Sequence, residues 1–473
     1  MNYKSILYFL GIYTFLISVF SILNILYSIY FDFVIDLNSY LITFFISLTI
    51  GSLFCYIGRN NNKDITLINQ IALVFLSFIF IPCLVSIPYI LSIYDISFLN
   101  AYFESVSGFT ATGFSIIEDV EKIDQPLILW RSSSQWLGGF LFLLVTIGTI
   151  GSKQIKIKPA YLITGGASGK NFYNNFNYNF IKILLIYLVS TIFIIFLYSL
   201  INVRLFDSFN LAFTTISSGG FIPSSNLSDI IKDDLQIFVV ALTLLLPIFN
   251  FFLLHDIFTR QFSLSRNQED IHLGILVIIV TVFLYFFVLS YEGFANVFFA
   301  IVSSVSTSGI TTYSSNYNMS LFFILLTIIG GSVVSTSSGF KYTRIYILLK
   351  ISYQEIYRLV KPINVIDKNL YNSESQIDDE DVKIAFLVFL FFIISIFVLS
   401  SILTLDNLTF ENSFKLSILT FTNTTSSALY GMANLSFFDL SNFTKMSLII
   451  FMILGKIEII AVIYLIKRFI FRE

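Results

Sequence analysis

Four segments of this 473-residue chain combine threonine, serine and glycine, each just after a short apolar stretch. They read SGFTATGFS (107–115), FTTISSGGF (213–221), SSVSTSGITT (303–312) and FTNTTSSALYG (421–431). Glycine allows backbone torsions that turn carbonyl oxygens towards a common axis, and the hydroxyl groups add further oxygens. Such oxygens replace the water shell of a monovalent cation without adding a fixed charge. The clusters therefore predict a site where cations lose their water.

The four clusters recur at intervals of roughly a hundred residues, which indicates an internal repeat. The positions taken as equivalent are Gly113, Gly219, Gly309 and Ser426. Each repeat is expected to contain a membrane span, a re-entrant half-helix, a tight loop and a second span. The half-helices are predicted near 98–109, 206–216, 294–306 and 411–422, with the negative ends of their dipoles at one axis. One cluster could merely let two helices approach closely. Four clusters at matching places favour a shared pore.

The composition places these repeats in a membrane, because 56% of the residues are hydrophobic, 12% are charged and the mean hydropathy is +0.85. About ten apolar runs are long enough to cross the hydrocarbon core. They lie near 6–30, 39–58, 67–93, 126–150, 179–203, 234–258, 273–291, 319–349, 382–403 and 443–470. The first lacks a cleavage site and is expected to be retained. We predict an all-α integral membrane protein of ten transmembrane helices.

The predicted architecture is an N-terminal helix hairpin followed by four pseudo-fourfold helix–pore-loop–helix repeats. The hairpin is assigned to 1–60, and the repeats to 61–152, 153–260, 261–350 and 351–473. With the N-terminus in the cytosol, most of the 27 Lys and Arg residues, those between 341 and 383 included, fall on the inner side. Acidic residues concentrate outside, so cations are expected to meet a negative vestibule.

Four motifs resemble the Trk/Ktr/HKT superfamily of potassium transporters, and within it the bacterial TrkH-type pore subunit. They are FESVSGFTATGFS (103–115), RSSSQWLGGF (131–140), GGSVVSTSSGFKYTR (330–344) and LGKIEII (454–460). The resemblance covers essentially the whole chain and implies potassium uptake across the cytoplasmic membrane through a channel-like pore. It implies K⁺ as the transported ion and no covalently bound cofactor. It also implies a homodimer and a cytosolic nucleotide-binding (RCK/TrkA-type) regulatory subunit, with membrane lipid and no nucleic acid as partners.

Carried onto this sequence, the resemblance implies a selectivity filter built from three or four residues of each cluster. These residues are Thr110, Ala111, Thr112, Gly113, Ser217, Ser218, Gly219, Thr307, Ser308, Gly309, Thr424, Thr425 and Ser426. Ser426 is the expected departure from an all-glycine ring. A Cβ there would restrict the backbone and make the ring of carbonyls less regular. We therefore expect a preference for potassium with weaker discrimination against sodium.

A second feature suggests a gate, because the apolar span beginning at 319 is interrupted by GGSVVSTSSGF (330–340). Such a break must line water or be buried in protein; a kinked helix is the alternative. The resemblance implies a loop that plugs the pore beneath the filter. Its gate residues would be Gly330, Gly331, Ser335, Thr336 and Gly339, together with Lys456. Placing a charged side chain such as Lys456 at that depth in the membrane costs free energy, which indicates a functional role. The family usually has arginine at this position.

Glu104 lies in the first half-helix, where a carboxylate either attracts cations or accepts hydrogen bonds behind the filter. We favour the supporting role. Arg131 and Trp136 fit the family pattern, although anchoring at the membrane interface would explain both.

The sequence contains few motifs that would support another function. GGASGK (165–170) has the wrong spacing for a phosphate loop, and no nucleophile elbow is present, so an enzyme is not expected. His255 and His272 are too few for a haem or zinc site, and Cys55 and Cys83 stand outside any motif. A coupled symporter would show inverted repeats. The alternative left open is a sodium-permeable or weakly selective cation channel of the same fold.

Overall fold

The structure, a computed structural model, is all-helical in the regions that it describes. These are residues 3–33, 36–59, 67–150, 176–258, 267–289, 292–312, 319–360, 377–406, 408–433 and 435–457. The GGASGK segment and Glu458 lie outside them. The prediction of an all-α membrane protein is confirmed.

The N-terminal pair consists of α1 (Tyr3–Tyr30) and α2 (Leu37–Gly58), which pack against each other along their length. α1 also packs on the first repeat, and 56% of its most apolar window is buried, against 22% for α2. α1 therefore attaches the pair to the pore, while α2 presents side chains such as Phe45 and Leu53 to lipid.

Each repeat consists of a long helix, a short helix and a further helix. The first contains α3 (Leu67–Val85), the single-turn α4 (Ile87–Leu91), α5 (Phe98–Phe109) and α6 (Gln125–Ile150). The second contains α7 (Phe176–Leu200), α8 (Leu205–Ile216), α9 (Asp234–Thr243) and α10 (Phe251–Phe258). The third contains α11 (Gln268–Phe287), α12 (Phe294–Val305), α13 (Ser320–Ile329) and α14 (Tyr342–Val360). The fourth contains α15 (Asp379–Thr404), α16 (Phe410–Phe421) and α17 (Asn442–Ile457).

The short helices α5, α8, α12 and α16 are the predicted half-helices, and each has 12 residues. At about 1.5 Å per residue, such a helix is roughly 18 Å long, too short to cross about 30 Å of hydrocarbon. Their bounds match the predicted ones to within one residue. Each helix has a serine or threonine in its last turn, and an apolar face buries it against its neighbours.

The repeats close into a ring in chain order. α6 packs on α8, α9 on α12, α13 on α16, and α17 on α5. Each contact joins a helix of one repeat to the short helix of the next repeat around the ring. The first repeat therefore faces the third across a central axis, and the second faces the fourth.

Six helices in the described regions are long and apolar enough to cross a membrane. The other predicted spans differ for identifiable reasons. α6 carries Arg131 and several serines. The run at 234–258 is broken between α9 and α10, where Pro247 and Asn250 lie, and the run at 319–349 is broken between α13 and α14. The acidic run at 378–381, interpreted as a solvated face, supplies a capping box to α15 through Asp378 and Asp381.

Candidate functional site

Each short helix ends in the same backbone turn. The second residue after each helix has a left-handed conformation, with φ of 58° at Ala111, 58° at Ser218, 61° at Thr307 and 49° at Asn423. Residues other than glycine rarely adopt this conformation. Its recurrence at four matching places shows that the four loops share one local fold. We call them loop 1 to loop 4, residues 110–114, 217–221, 306–310 and 422–426.

The backbone corrects the register that we expected between the loops. In three loops, the residue directly after the left-handed one donates an amide hydrogen bond to the carbonyl five residues earlier in the chain. These bonds join Thr112 N to Ser107 O (2.9 Å), Gly219 N to Thr214 O (2.8 Å) and Thr424 N to Leu419 O (2.9 Å). Thr112, Gly219 and Thr424 are therefore equivalent.

One residue further on, the equivalent positions are Gly113, Gly220, Gly309 and Thr425. The predicted equivalence of Gly219 and Ser426 with these positions is wrong by one residue. Loop 2 offers two adjacent glycines, and loop 4 has none before Gly431. Sequence alone could not tell which position follows the helix end at the required distance.

The four loops meet at one place. Asn423 Nδ2 of loop 4 donates a hydrogen bond to Thr112 Oγ1 of loop 1 at 3.0 Å. A Cβ built on Gly113 would lie 2.7 Å from Gly220 Cα, and one built on Gly309 would lie 2.8 Å from Thr425 O. All thirteen predicted filter residues lie in these loops, and the structure brings the loops together around the axis.

Hydroxyl groups hold the loops in shape from behind. Thr214 Oγ1 donates to Phe221 O at 2.7 Å, and the equivalent Ser303 Oγ donates to Ile310 O at 2.6 Å. Both side chains are fully buried. Loops 2 and 3 are therefore closed by the same hydrogen bond, which explains why the clusters need Thr or Ser before the turn as well as glycine after it.

Glu104 stands behind loop 1 and is fully buried. Its carboxylate accepts hydrogen bonds from Arg131 Nε at 3.0 Å, Ile116 N at 2.9 Å and Ser115 Oγ at 3.0 Å. The Arg131 guanidinium also lies over the Phe221 ring of loop 2, 4.3 Å from its centroid. The pair thus joins loop 1 to loop 2, which is the geometry of a support rather than of a cation-attracting site.

Anchoring at the membrane interface is the wrong interpretation of Arg131 and Trp136. Both side chains are 2% exposed. Trp136 Nε1 donates to Thr191 Oγ1 at 3.0 Å, and its ring packs on Phe213 of α8.

The break between α13 and α14 forms an intramembrane loop, residues 330–341. Gly330 and Gly339 have φ of 64° and 83°. A Cβ on Gly330 would lie 2.3 Å from Ser338 O, so the two ends of the loop approach too closely for a side chain. The loop is a compact folded segment and not a kinked helix.

The intramembrane loop lies directly against the pore loops. Thr336 Oγ1 donates to Ile216 O at 2.9 Å, at the end of α8. Ser338 N donates to Thr307 Oγ1 at 3.0 Å. Thr307 is one of the four left-handed residues, so the intramembrane loop contacts a pore turn directly.

Two buried lysines hold this loop. Lys456 Nζ donates to Ser338 Oγ at 3.1 Å and to Thr336 O at 3.4 Å. Lys341 Nζ donates to the carbonyls of Ser332 (3.2 Å), Ser335 (3.3 Å) and Ser337 (2.5 Å).

Sequence reasoning missed Lys341. It was counted among the basic residues of the inner side, but it is 3% exposed inside the loop. The available signal was its place directly after the glycine-rich break, where an ammonium group can bind carbonyls that have left the helix.

Two carboxylates of α11 fix the other end of the loop and were also missed. Glu269 Oε1 accepts from Val333 N at 3.0 Å and from Thr343 Oγ1. Asp270 Oδ1 accepts from Ser332 Oγ and from Asn250 N, both at 2.8 Å.

The break between α9 and α10 also pairs with the intramembrane loop. Ser332 N donates to Ile248 O at 2.9 Å, and Phe251 N donates to Val334 O at 2.7 Å. The two interrupted spans thus satisfy each other's backbone groups, as irregular backbone in a membrane requires.

A cavity of about 380 Å³ lies beside the pore loops. Gly113, Gly220 and Ser426 line it, as do Glu118 and Arg131. No residue of the intramembrane loop is among its lining residues, so the pore loops contact the cavity and the intramembrane loop through different residues.

Other candidate chemistry is weak in the part of the chain that the structure describes. That part contains no group of three or more His, Cys, Asp or Glu side chains that could hold a metal ion. His255 contacts Asp256, and the His272 ring packs near Tyr346. Cys55 and Cys83 are free.

Comparison with known proteins agrees with this arrangement. A solved structure, that of the potassium transporter TrkH from Vibrio parahaemolyticus, matches with a TM-score of 0.85 over 98% of each chain at 22% identity, so the two share a fold. The Trk system potassium uptake protein TrkG of Escherichia coli K12 is 26% identical over 92% of each chain. An uncharacterized cation transporter of Methanocaldococcus jannaschii is 26% identical over 85% of this chain and 82% of its own length.

A family model described as "TrkH: Cation transport protein" matches residues 272–470. This match includes the intramembrane loop, Lys341, Lys456 and loops 3 and 4. The chain is a multi-pass membrane protein with the fold of a solved TrkH structure, and its residues 272–470 match the TrkH family of cation transport proteins.

Proposed function

We propose that this chain takes up potassium across the cytoplasmic membrane through a pore whose filter is formed by loops 1 to 4. The observation that carries the proposal is the shared left-handed turn after each short helix, with the four turns gathered around one axis. Carbonyl and hydroxyl oxygens then surround a dehydrated ion, and four helix C-termini add partial negative charge. The relatives named as potassium uptake proteins support potassium as the ion.

No coupling ion is required for accumulation. An inside-negative potential of about 100 mV contributes about 2.3 kcal/mol per monovalent cation, roughly 40-fold accumulation. The filter residues are those of the four loops, with Gly220 joining the predicted set and Glu104 supporting loop 1 from behind.

We propose that the intramembrane loop is the gate. It lies against loops 2 and 3, and two ammonium groups hold its carbonyls. An ion leaving the filter has to pass this loop. The proposed gate residues are Gly330, Gly331, Ser335, Thr336 and Gly339 with Lys456, and we add Lys341 because its ammonium group donates to three carbonyls of the loop.

We further propose that the protein works as a homodimer with a cytosolic nucleotide-binding regulatory subunit. The family resemblance supports both partners. α14 continues from the gate and exposes apolar residues, Tyr353 and Ile356, beside Arg358, a surface suited to a partner or to lipid headgroups. Through α14 a partner could pull directly on residue 341.

Growth of a potassium-uptake-deficient bacterial strain at limiting potassium tests the transport function. Cells expressing this chain, with and without the cytosolic partner, should grow where the empty vector does not. Absence of growth in both, with the protein present in the membrane, would contradict potassium uptake. A sodium-permeable channel of the same fold would instead make the cells sodium-sensitive without restoring growth.

A further inference from the structure

Loop 4 carries a side chain at the level where the other three loops have glycine. Two residues after the left-handed turn, loops 1, 2 and 3 have Gly113, Gly220 and Gly309, and loop 4 has Thr425. Thr425 is buried, with 7% of its surface exposed. The ring at this level therefore contains three backbone-only positions and one β-branched side chain.

The Thr425 side chain crosses the axis. A Cβ built on Gly220 would lie 2.4 Å from Thr425 Cβ and 2.8 Å from its Cγ2. Because a carbon–carbon bond is about 1.5 Å long, Gly220 Cα lies within about 4 Å of Thr425 Cβ. That is van der Waals contact between atoms of opposite repeats. No ion fits between them.

The same side chain also contacts both neighbouring loops. Its Oγ1 donates a hydrogen bond to Gly113 O of loop 1 at 2.8 Å. On the other side, a Cβ built on Gly309 of loop 3 would lie 3.0 Å from Thr425 Cγ2. The Thr425 side chain thus contacts all three glycine positions, and its hydroxyl group is hydrogen-bonded to the carbonyl oxygen of Gly113.

We propose that Thr425 is a specificity-determining residue that closes this level of the filter and opens it as a cation passes. The proposal rests on the proposed potassium uptake. A cation entering this level separates loops 2 and 4 slightly, which moves Thr425 Cβ away from Gly220, and rotation about χ1 to another staggered position turns Cγ2 aside. The hydroxyl then leaves Gly113 O, and both oxygens become ligands of the ion. Closing restores the hydrogen bond between them, so this level opens and closes by a small separation of the loops together with a rotation of the Thr425 side chain.

Four variants separate the parts of this proposal. Thr425→Gly removes both the obstruction and the hydroxyl. Thr425→Ser keeps the hydroxyl and loses Cγ2, while Thr425→Val keeps the shape and loses the hydroxyl. Thr49→Val is the matched control, because Thr49 is an exposed threonine of α2, outside the pore loops.

The measurement is rubidium influx into liposomes that contain the purified full-length chain, driven by a potassium gradient. We expect Thr425→Gly to raise the initial rate about fivefold or more, the factor that loss of one hydrogen bond gives. Thr425→Ser should lie between glycine and wild type, and Thr425→Val should fall below wild type because the obstruction stays and the ligand is lost. Thr49→Val should match wild type.

Sodium competition adds a readout that altered packing alone would not change. Thr425→Gly gives four equivalent backbone positions, so the excess of sodium needed to halve rubidium influx should increase. Thr49→Val should leave that excess unchanged.

Equal rates in folded Thr425→Gly, Thr425→Val and wild type would overturn the proposal. If Thr425→Gly does not fold, Thr425→Ser and Thr425→Val still test the proposal. A change of the influx rate in the same direction for both variants would indicate a packing role only and would overturn the proposal. A wild-type protein that conducts neither rubidium nor sodium would contradict the proposed function itself, and this inference with it.

Discussion

Lys456 and Ser338 are joined between the last helix and the intramembrane loop, with Nζ of Lys456 3.1 Å from Oγ of Ser338. The same ammonium group lies 4.6 Å from the centroid of the Phe142 ring, and the Lys341 ammonium lies 5.6 Å from it. Both ammonium groups therefore lie near one aromatic ring, which is favourable for each cation, while they repel each other.

Shortening the intramembrane loop should increase ion flux. Deletion of 335–337 removes two of the three carbonyls that Lys341 binds and the segment that contacts loop 2, while the pore loops keep their own hydrogen bonds. Rubidium influx into liposomes should rise, and the preference for potassium over sodium should stay constant. Lys456→Met should act in the same direction, more weakly. Unchanged or lower flux in a folded deletion variant would exclude the loop as the barrier.

Lys341→Met should both loosen the gate and destabilise the protein. Three buried carbonyls would lose their donor, at a cost of about 1–3 kcal/mol for each unsatisfied group. Thermal unfolding in detergent should shift to lower temperature, and basal rubidium influx should rise. Lys341→Arg keeps the charge and serves as the control. Our account fails at this residue if methionine leaves both quantities at their wild-type values.

The Glu104–Arg131 pair should be essential for the integrity of loops 1 and 2. Arg131→Gln leaves a fully buried carboxylate without its cation, which costs about 3–5 kcal/mol. Glu104→Gln should be comparably damaging, and the double variant less so than the sum of the two. Thermal unfolding of the two single variants and the double variant, each compared with wild type, gives the coupling free energy between the two side chains. Strictly additive effects would show that the two side chains act independently.

Asp124 predicts a pH dependence of stability at the outer surface. Burial, and next the negative charge of Asp36, raise the pKa of Asp124 to about 6. The folded protein therefore holds this proton more tightly than the unfolded chain, whose Asp pKa is about 3.9. The stabilisation is complete below the unfolded pKa and is lost as the pH rises through about 6. The unfolding temperature should fall between pH 4.5 and 7, and the fall should be smaller in Asp124→Asn. An equal fall in both proteins would assign the effect to other groups.

The half-helices were predictable because short apolar runs that end in Thr, Ser and Gly are local signals. The break at 330–340 was predictable for the same reason. By contrast, the register of Gly220 and Thr425 depends on where α8 and α16 end, and an alignment of glycines does not contain that information.

The roles of Lys341, Glu269 and Asp270 could not be predicted from the chain order. Their partners lie in loops that are irregular only because two broken spans meet, and a charged residue near a span end normally indicates a cytosolic surface. Tertiary contact, not local pattern, decides that these three charges are buried.

The most direct test of the account is the reversal potential of the purified protein in liposomes or planar bilayers with opposed potassium and sodium gradients. A pore formed by the four loops predicts a current that reverses near the potassium equilibrium potential, and that Gly113→Asp abolishes without loss of the folded protein. A current that reverses at the sodium or chloride potential, or that survives this substitution, would contradict potassium conduction through these loops.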